Sequence, residues 1–219
     1  MDFKLILDFL AELRENNNRE WMEANKPRYK KVKEAFNAVT ADVINGIAEV
    51  DESLFGVEPK HCVFRINRDI RFSKDKSPYK INMGAFIAEG GRKSEHAGYY
   101  FHLQPGDETM IAGGIYMPPA PNLAKIRQEI DYNAAELKKI LDEKTFKSHF
   151  KQIEGEKLKR APKGYPVDHP NIELLKLKSY IVWRKVKDKE MLKPGALEEI
   201  ISTFRVIQPF NEYLNVAIS

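Results

Sequence analysis

Between Phe64 and Lys80 the chain reads FRINRDIRFSKDKSPYK, a stretch that concentrates side chains suited to holding an anion. Arg65, Arg68 and Arg71 supply guanidinium forks that match phosphate or carboxylate oxygens, and Lys74, Lys76 and Lys80 add point charge. Ser73, Ser77 and the backbone N–H groups of the connection can complete an anion cradle, and Tyr79 can stack on a base or sugar. Asp69 and Asp75 set the competing reading, in which they pair with the arginines and pin the segment without any ligand. The balance of charge keeps the binding reading alive. From Lys60 to Lys80 there are 7 basic residues against 2 acidic, so two carboxylates cannot neutralise the cluster. The candidate ligand-binding set is Arg65, Arg68, Asp69, Arg71, Lys74, Asp75, Lys76, Tyr79 and Lys80, and the expected partner is an anionic small molecule or nucleic acid.

A second basic segment runs from Lys144 to Lys193, with 14 basic residues against 6 acidic. The net charge of the chain is +4, so the remainder is net negative and the excess positive charge sits in these two segments. Such concentration points to an anionic partner more than to solubility alone. Within the second segment Lys157, Lys159, Arg160 and Lys163 can form another wall of an anionic groove, or simply a solvated loop. The nucleic-acid signal is weak, because no nucleic-acid motif accompanies the charge.

Catalysis has less direct support. The five histidines, His61, His96, His102, His149 and His169, show no HxxxH or other metal-ligand spacing, so no metal or cofactor is expected. His102 alternates with Phe101 and Leu103 on an expected strand and is a candidate general base, but nothing nearby supplies a catalytic partner; a hydrogen-bonded structural role is the simpler reading. Asp168-His169 reads as a turn. There is no GxSxG elbow, P-loop or GxGxxG run. The alternative to a binding module is an enzyme acting on a small anionic substrate, with the arginines as clamp and Asp69, Asp75 or His102 as acid or base. A protein-interaction scaffold is the third possibility.

The elements that must position these residues follow from periodicity. Phe3, Ile6, Leu7, Phe9, Leu10 and Leu13 predict an opening amphipathic helix, stopped by Asn16-Asn17-Asn18. Pro27 suits the first turn of a longer helix to about Val50. Phe64, Ile66, Ile70 and Phe72 then alternate with Arg65, Asn67, Asp69 and Arg71, predicting a strand that places Arg65 and Arg71 on one face and Arg68 on the other. Further strands are expected from Ile81 to Ile87, Gly98 to Leu103, Thr109 to Met117 and, with Trp183 and its lysines against it, Tyr180 to Val186. Gly113-Gly114 suggests a bulge or a close backbone approach. Asn122 and Asn133 are expected to cap successive helices, another helical stretch lies near Phe146 to Ile153, and Pro194-Gly195 opens a last helix that Pro209 kinks or divides. Helices, then strands, then helices predict one α+β domain over residues 1–219, its antiparallel sheet of about four or more strands flanked by N-terminal and C-terminal helices.

The composition, 42% hydrophobic and 31% charged over 219 residues, is that of a globular chain able to bury a core without staples. One cysteine, Cys62, excludes an intramolecular disulfide framework, and the absence of CxxC excludes a thiolate zinc site. MDFKLILDFL carries Asp2 and Asp8 and no basic leader, so it reads as a helix, not a signal peptide. No apolar run approaches bilayer length, and a reducing cytoplasmic location without membrane partners is expected.

The segment Phe64–Lys80 resembles the signature of the domain of unknown function 2461 family, a group of conserved hypothetical proteins. Asn17-Asn18-Arg19-Glu20-Trp21 with Asn25-Lys26 and Tyr29 is similar to that family's opening, and Pro162-Lys163-Gly164-Tyr165-Pro166 with Asp168-His169-Pro170 to its later basic loop. The resemblance covers nearly the whole chain and is weakest from Trp183 to Lys193. It implies a single intracellular domain and transfers no activity.

Overall fold

Six apolar residues at helical spacing bury one side of α1 (Phe3–Glu15), whose start is capped by the Asp2 carboxylate accepting from the Leu5 N–H. The three asparagines that follow divide the work of a tight corner. Asn16 closes α1, and Asn18 caps α2 (Arg19–Ala24) by accepting from the Trp21 N–H. Asn17 is left free to reach across the molecule. Pro27 sits in the first turn of α3 (Lys26–Ala48), which buries Val32, Phe36, Val39, Val43, Ile44 and Ile47. Trp21 and Tyr29, both half-buried, pack on Phe9. The computed structural model describes residues 2–219.

After the short α4 (Pro59–Cys62) come β1 (Met83–Ile87), β2 (Gly98–Leu103) and β3 (Thr109–Ile115). Then follow α5 (Ala120–Asp142), α6 (Lys144–His149) and α7 (Ile172–Leu175), then β4 (Tyr180–Val186), α8 (Asp188–Met191) and α9 (Ala196–Ile218). The strands form one antiparallel sheet in the order β1-β2-β3-β4, flanked by N-terminal and C-terminal helices, so the fold is α+β. Side chains alternate across the sheet. Met83, Ala85, Ile87, Tyr99, Phe101, Leu103, Ile111, Ile115, Tyr180 and Val182 are buried in the core with α1, α3 and α9. Gly84, Phe86, Gly98, Tyr100, His102, Met110, Ala112 and Gly114 point the other way. Among the described residues no helix is long and apolar enough to cross a membrane.

Several expected boundaries move. The strand expected over Phe64–Phe72 does not form, so Arg65 and Arg71 share no strand face. Val63 bridges Ala85 and the Phe64 N–H donates to Gly84 O, after which the chain leaves the sheet edge. Asp69 and Asp75 then accept from the backbone N–H groups of Arg71 and Ser77, two residues on, and such local bonds compete with a ladder. The expected apolar face is broken, for Ile66 is buried while Phe72 is 95% exposed. The next strand starts at Met83 rather than Ile81, and the strand expected to Met117 stops at Ile115, before Met117 at φ 46° and Pro118. Pro119, not Asn122, precedes α5, and at Asn133 (φ −126°, ψ 33°) the backbone leaves helical geometry and divides α5 into two helical stretches, where a second helix was expected to begin. The stretch expected to Ile153 ends at His149. Gly113 and Gly114 make close approaches within an unbroken register, with no bulge. A Cβ on Gly113 would lie 2.4 Å from Ile207, and one on Gly114, at φ 111°, would lie 2.0 Å from Tyr180 O.

Candidate functional site

The basic segment folds into a loop closed at its base by the Asn67–Tyr79 bridge, with Arg68 N–H donating to Pro78 O and Lys80 N–H to Ile66 O. Inside the loop, carboxylates consume two of the arginines. Arg68 pairs with Asp75 and its other Nη reaches Ser73 Oγ at 3.4 Å. Arg71 makes a two-point contact with Asp69, Nε to Oδ1 at 2.9 Å and Nη2 to Oδ2 at 2.6 Å. Lys76 Nζ donates to Ile70 O at 3.0 Å. The Ser77 hydroxyl, then Arg68, then the Ser77 backbone N–H hold the Asp75 carboxyl far below the usual carboxylate range. Pairing with Arg71 lowers Asp69. The loop thus braces itself, as the competing reading of the sequence anticipated for these four residues.

Four cations are left over. Among the described residues, Arg65, Lys74, Lys76 and Lys80 form no ion pair with any acid. Lys80 is half-buried, and burial, then the nearby Arg65 charge, push its ammonium below its ordinary pKa. Its Nζ stands 5.4 Å from the centroid of the Phe64 ring. Asn17 fixes this end of the loop: its Nδ2 donates to Tyr79 O at 3.0 Å, and the Tyr79 N–H donates to its Oδ1 at 3.1 Å.

Phe64 is also a wall of a cavity of about 640 Å³ over the outward face of the sheet. Phe86, Tyr100, His102, Met110 and Ala112 form much of its floor, and Arg92, Glu95, His96 and Tyr116–Pro119 its far rim. Arg92 donates to Lys60 O and forms no ion pair among the described residues, whereas Glu95 accepts from Asn122, and His96 lies 3.3 Å from Glu89. Two further depressions are less suited to an anion. One is ringed by Glu49, Glu52 and Glu58. The other holds Arg205, already engaged by Glu49 and Glu198.

On the cavity floor lies a pair that the sequence reading missed. Tyr100 Oη is 3.0 Å from His102 Nδ1, and His102 Nε2 is 2.9 Å from Glu108 O. Burial lowers the His102 pKa and raises that of Tyr100, so both are neutral at pH 7. The missing partner of His102 was two residues away on the same strand face, a signal that period-2 spacing carries.

The remaining candidates are accounted for locally. The connection carrying Lys157 runs beside β4, through the Glu154–Ile181 and Lys157–Leu177 bridges, whereas the basic loop adjoins β1. The two basic segments lie at opposite edges of the sheet and do not wall one groove. His169 bonds to Asp131 at 2.9 Å, not to Asp168, and accepts from the Asn171 N–H, which uses both ring nitrogens. Cys62 is buried, and that burial pushes its thiol up to about 11, so no thiolate forms near neutral pH. No group of three or more His, Cys, Asp or Glu able to hold a metal occurs among the described residues.

Fold and site together define an α+β protein with a ligand-sized cavity on its sheet and a self-braced basic loop at the cavity's edge. The chain belongs to the DUF2461 family of conserved hypothetical proteins, whose model matches residues 5–213. No curated protein and no solved structure matches it.

Proposed function

We propose that this protein binds a small anionic ligand in the sheet cavity, with its charge directed past Phe64 toward Lys80 and Arg65, which stand beyond the cavity lining. The observation that supports this most strongly is the double role of Phe64. Its ring walls the cavity and also carries the unpaired Lys80 ammonium 5.4 Å from its centroid. Two neighbouring cations without an acid are disfavoured in the empty protein, and an anion between them relieves that cost. Arg68, Asp69, Arg71 and Asp75 serve this reading as the brace that holds the loop, Tyr79 as the anchor taken by Asn17, and Lys74 and Lys76 as outer positive charge. A volume of about 640 Å³ suits a small molecule better than a polymer.

A second reading, an enzyme acting on a small anionic substrate, draws on the Tyr100–His102 pair at the cavity floor. Asp69 and Asp75 are occupied within the loop, which leaves His102 as the acid–base candidate.

The test is thermal stabilisation by a panel of nucleotides, phosphosugars, aryl carboxylates, polyphosphate and short oligonucleotides at low and high salt. Binding of small anions adds stability that grows with concentration. It should be lost in the R65Q/K80M double variant, whose own cooperative melting transition shows that it is folded. Stabilisation by oligonucleotides alone, insensitive to the double variant, overturns the proposal.

A further inference from the structure

The Tyr100–His102 pair has a direction, and the direction constrains the ligand. A carbonyl oxygen only accepts, so the contact of His102 Nε2 with Glu108 O at 2.9 Å places the ring proton on Nε2. In a neutral imidazole the other nitrogen is then an acceptor, so the Tyr100 hydroxyl donates its only proton to Nδ1 at 3.0 Å. With that proton committed, Tyr100 Oη offers only lone pairs. Tyr100 and His102 both line the cavity, so the polar group at its floor is an acceptor.

We infer that the cavity selects planar anions carrying an O–H or N–H donor, which bonds to Tyr100 Oη while the anionic group lies toward Lys80. The chain of bonds then runs in one sense, from ligand donor to Tyr100, from Tyr100 to His102 and from His102 to the Glu108 carbonyl. Phe64 links the two ends, since Lys80 Nζ is 5.4 Å from its ring centroid and that centroid is 6.4 Å from that of Tyr100. A ligand with an acceptor at the same position meets lone pair against lone pair. This inference rests on the cavity being the ligand site, and it names the chemical class the site takes.

Protonation inverts the pair. Once His102 Nδ1 carries a proton it donates to Tyr100, whose hydroxyl proton is freed to face the cavity. The groups acting on His102 are Tyr100 on its own strand, Glu108 in the turn before β3 and Lys185 on β4, the last two joined to each other at 2.7 Å.

The probes are 4-hydroxyphenylacetate, 4-fluorophenylacetate and 4-methoxyphenylacetate, titrated by NMR against the full chain. At pH 8 the hydroxy compound should bind about tenfold more tightly than the other two, the worth of one neutral hydrogen bond. In Y100F that preference should vanish while binding of the fluoro compound persists, which also shows that the variant is folded. Independently of any ligand, long-range ¹H–¹⁵N spectra should place the His102 proton on Nε2. Equal binding of all three probes, or a proton on Nδ1, overturns the inference and leaves the anion site standing. Failure of all three to bind overturns the anion site for this ligand class, and the inference with it.

Discussion

Asn17 and Tyr79, 62 residues apart in sequence, exchange two hydrogen bonds: the Asn17 side-chain N–H donates to the Tyr79 carbonyl, and its carbonyl oxygen accepts from the Tyr79 N–H. A side-chain amide reproduces one rung of a strand ladder here, where the loop has left the sheet. It ties the corner between α1 and α2 to the residue next to Lys80, and so sets where that ammonium stands.

Replacing Asn17 by Ala leaves a half-buried N–H and C=O unsatisfied, with an expected loss of about 1–3 kcal/mol. Asn17→Asp should do no better at neutral pH, because it sets a carboxylate against the Tyr79 carbonyl. Urea unfolding checks the magnitude. Hydrogen exchange checks the location: faster exchange of the Arg68, Tyr79 and Lys80 amides is expected, with α9 unchanged.

Lys80 carries an electrostatic penalty that its removal should reveal. Burial, then Arg65, lower its pKa, so folding disfavours the charged form. The sign follows from linkage: the penalty is full at neutral pH and fades as pH rises through the folded value toward the unfolded one. Lys80→Met is therefore expected to be neutral or slightly stabilising in the empty protein while abolishing stabilisation by anions. Melting temperatures with and without 4-hydroxyphenylacetate test both halves, and a variant that still responds to the anion removes Lys80 from the site.

The brace inside the loop predicts an acid-side effect. The Asp75 carboxyl is held far down by Ser77 and Arg68, so its contribution is present above the ordinary carboxylate range and lost as pH falls through the folded value. In Asp75→Asn the loop should loosen at neutral pH as it does in strong acid in the parent chain, with the core intact. Carboxyl NMR titration of Asp75 reads the lowered value directly. A titration in the ordinary range would mean that the Arg68 and Ser77 contacts do not persist in solution.

The long helices and three of the sheet strands were legible because one face of each is buried, and burial writes a period into the sequence; the one-turn helices α4, α7 and α8 are too short to carry one. Strand β4 was legible despite Trp183 and Lys185, since Tyr180, Val182 and Val186 keep the alternation on the core side. The same rule failed at Phe64–Phe72. There alternation arose in a segment with nothing to bury Phe72, and Asp69 and Asp75 turned the backbone back on itself. The internal pairing of Arg68 and Arg71 was anticipated as one of two readings. The cavity was not, because a cavity is a property of register. Tyr100 and His102 reach one floor with Phe86 and Met110 only once the cross-strand pairs Phe86–Tyr100 and His102–Met110 are known.

His102 gives the sharpest prediction, because the sign of its pH dependence separates a buried neutral imidazole from an ordinary surface one. Its folded pKa lies below the ordinary imidazole value, burial being the main cause, and the bond to Glu108 O and the Glu108 charge oppose the shift without cancelling it. Between the folded and unfolded values the unfolded chain binds more protons, so stability is complete above the unfolded value. It declines as pH falls below that value, and the loss is fully developed once pH passes the folded value. Replacement by Gln removes the titration and should flatten that part of the stability–pH curve, though it also perturbs the bond from Tyr100. The parent and His102→Gln curves, measured by chemical unfolding from pH 8 to pH 4, should therefore converge toward the acid end, with the parent the more stable at pH 8. Parallel curves would mean that His102 titrates alike in the folded and unfolded chains, and that the cavity floor is wetter than its hydrogen bonds imply.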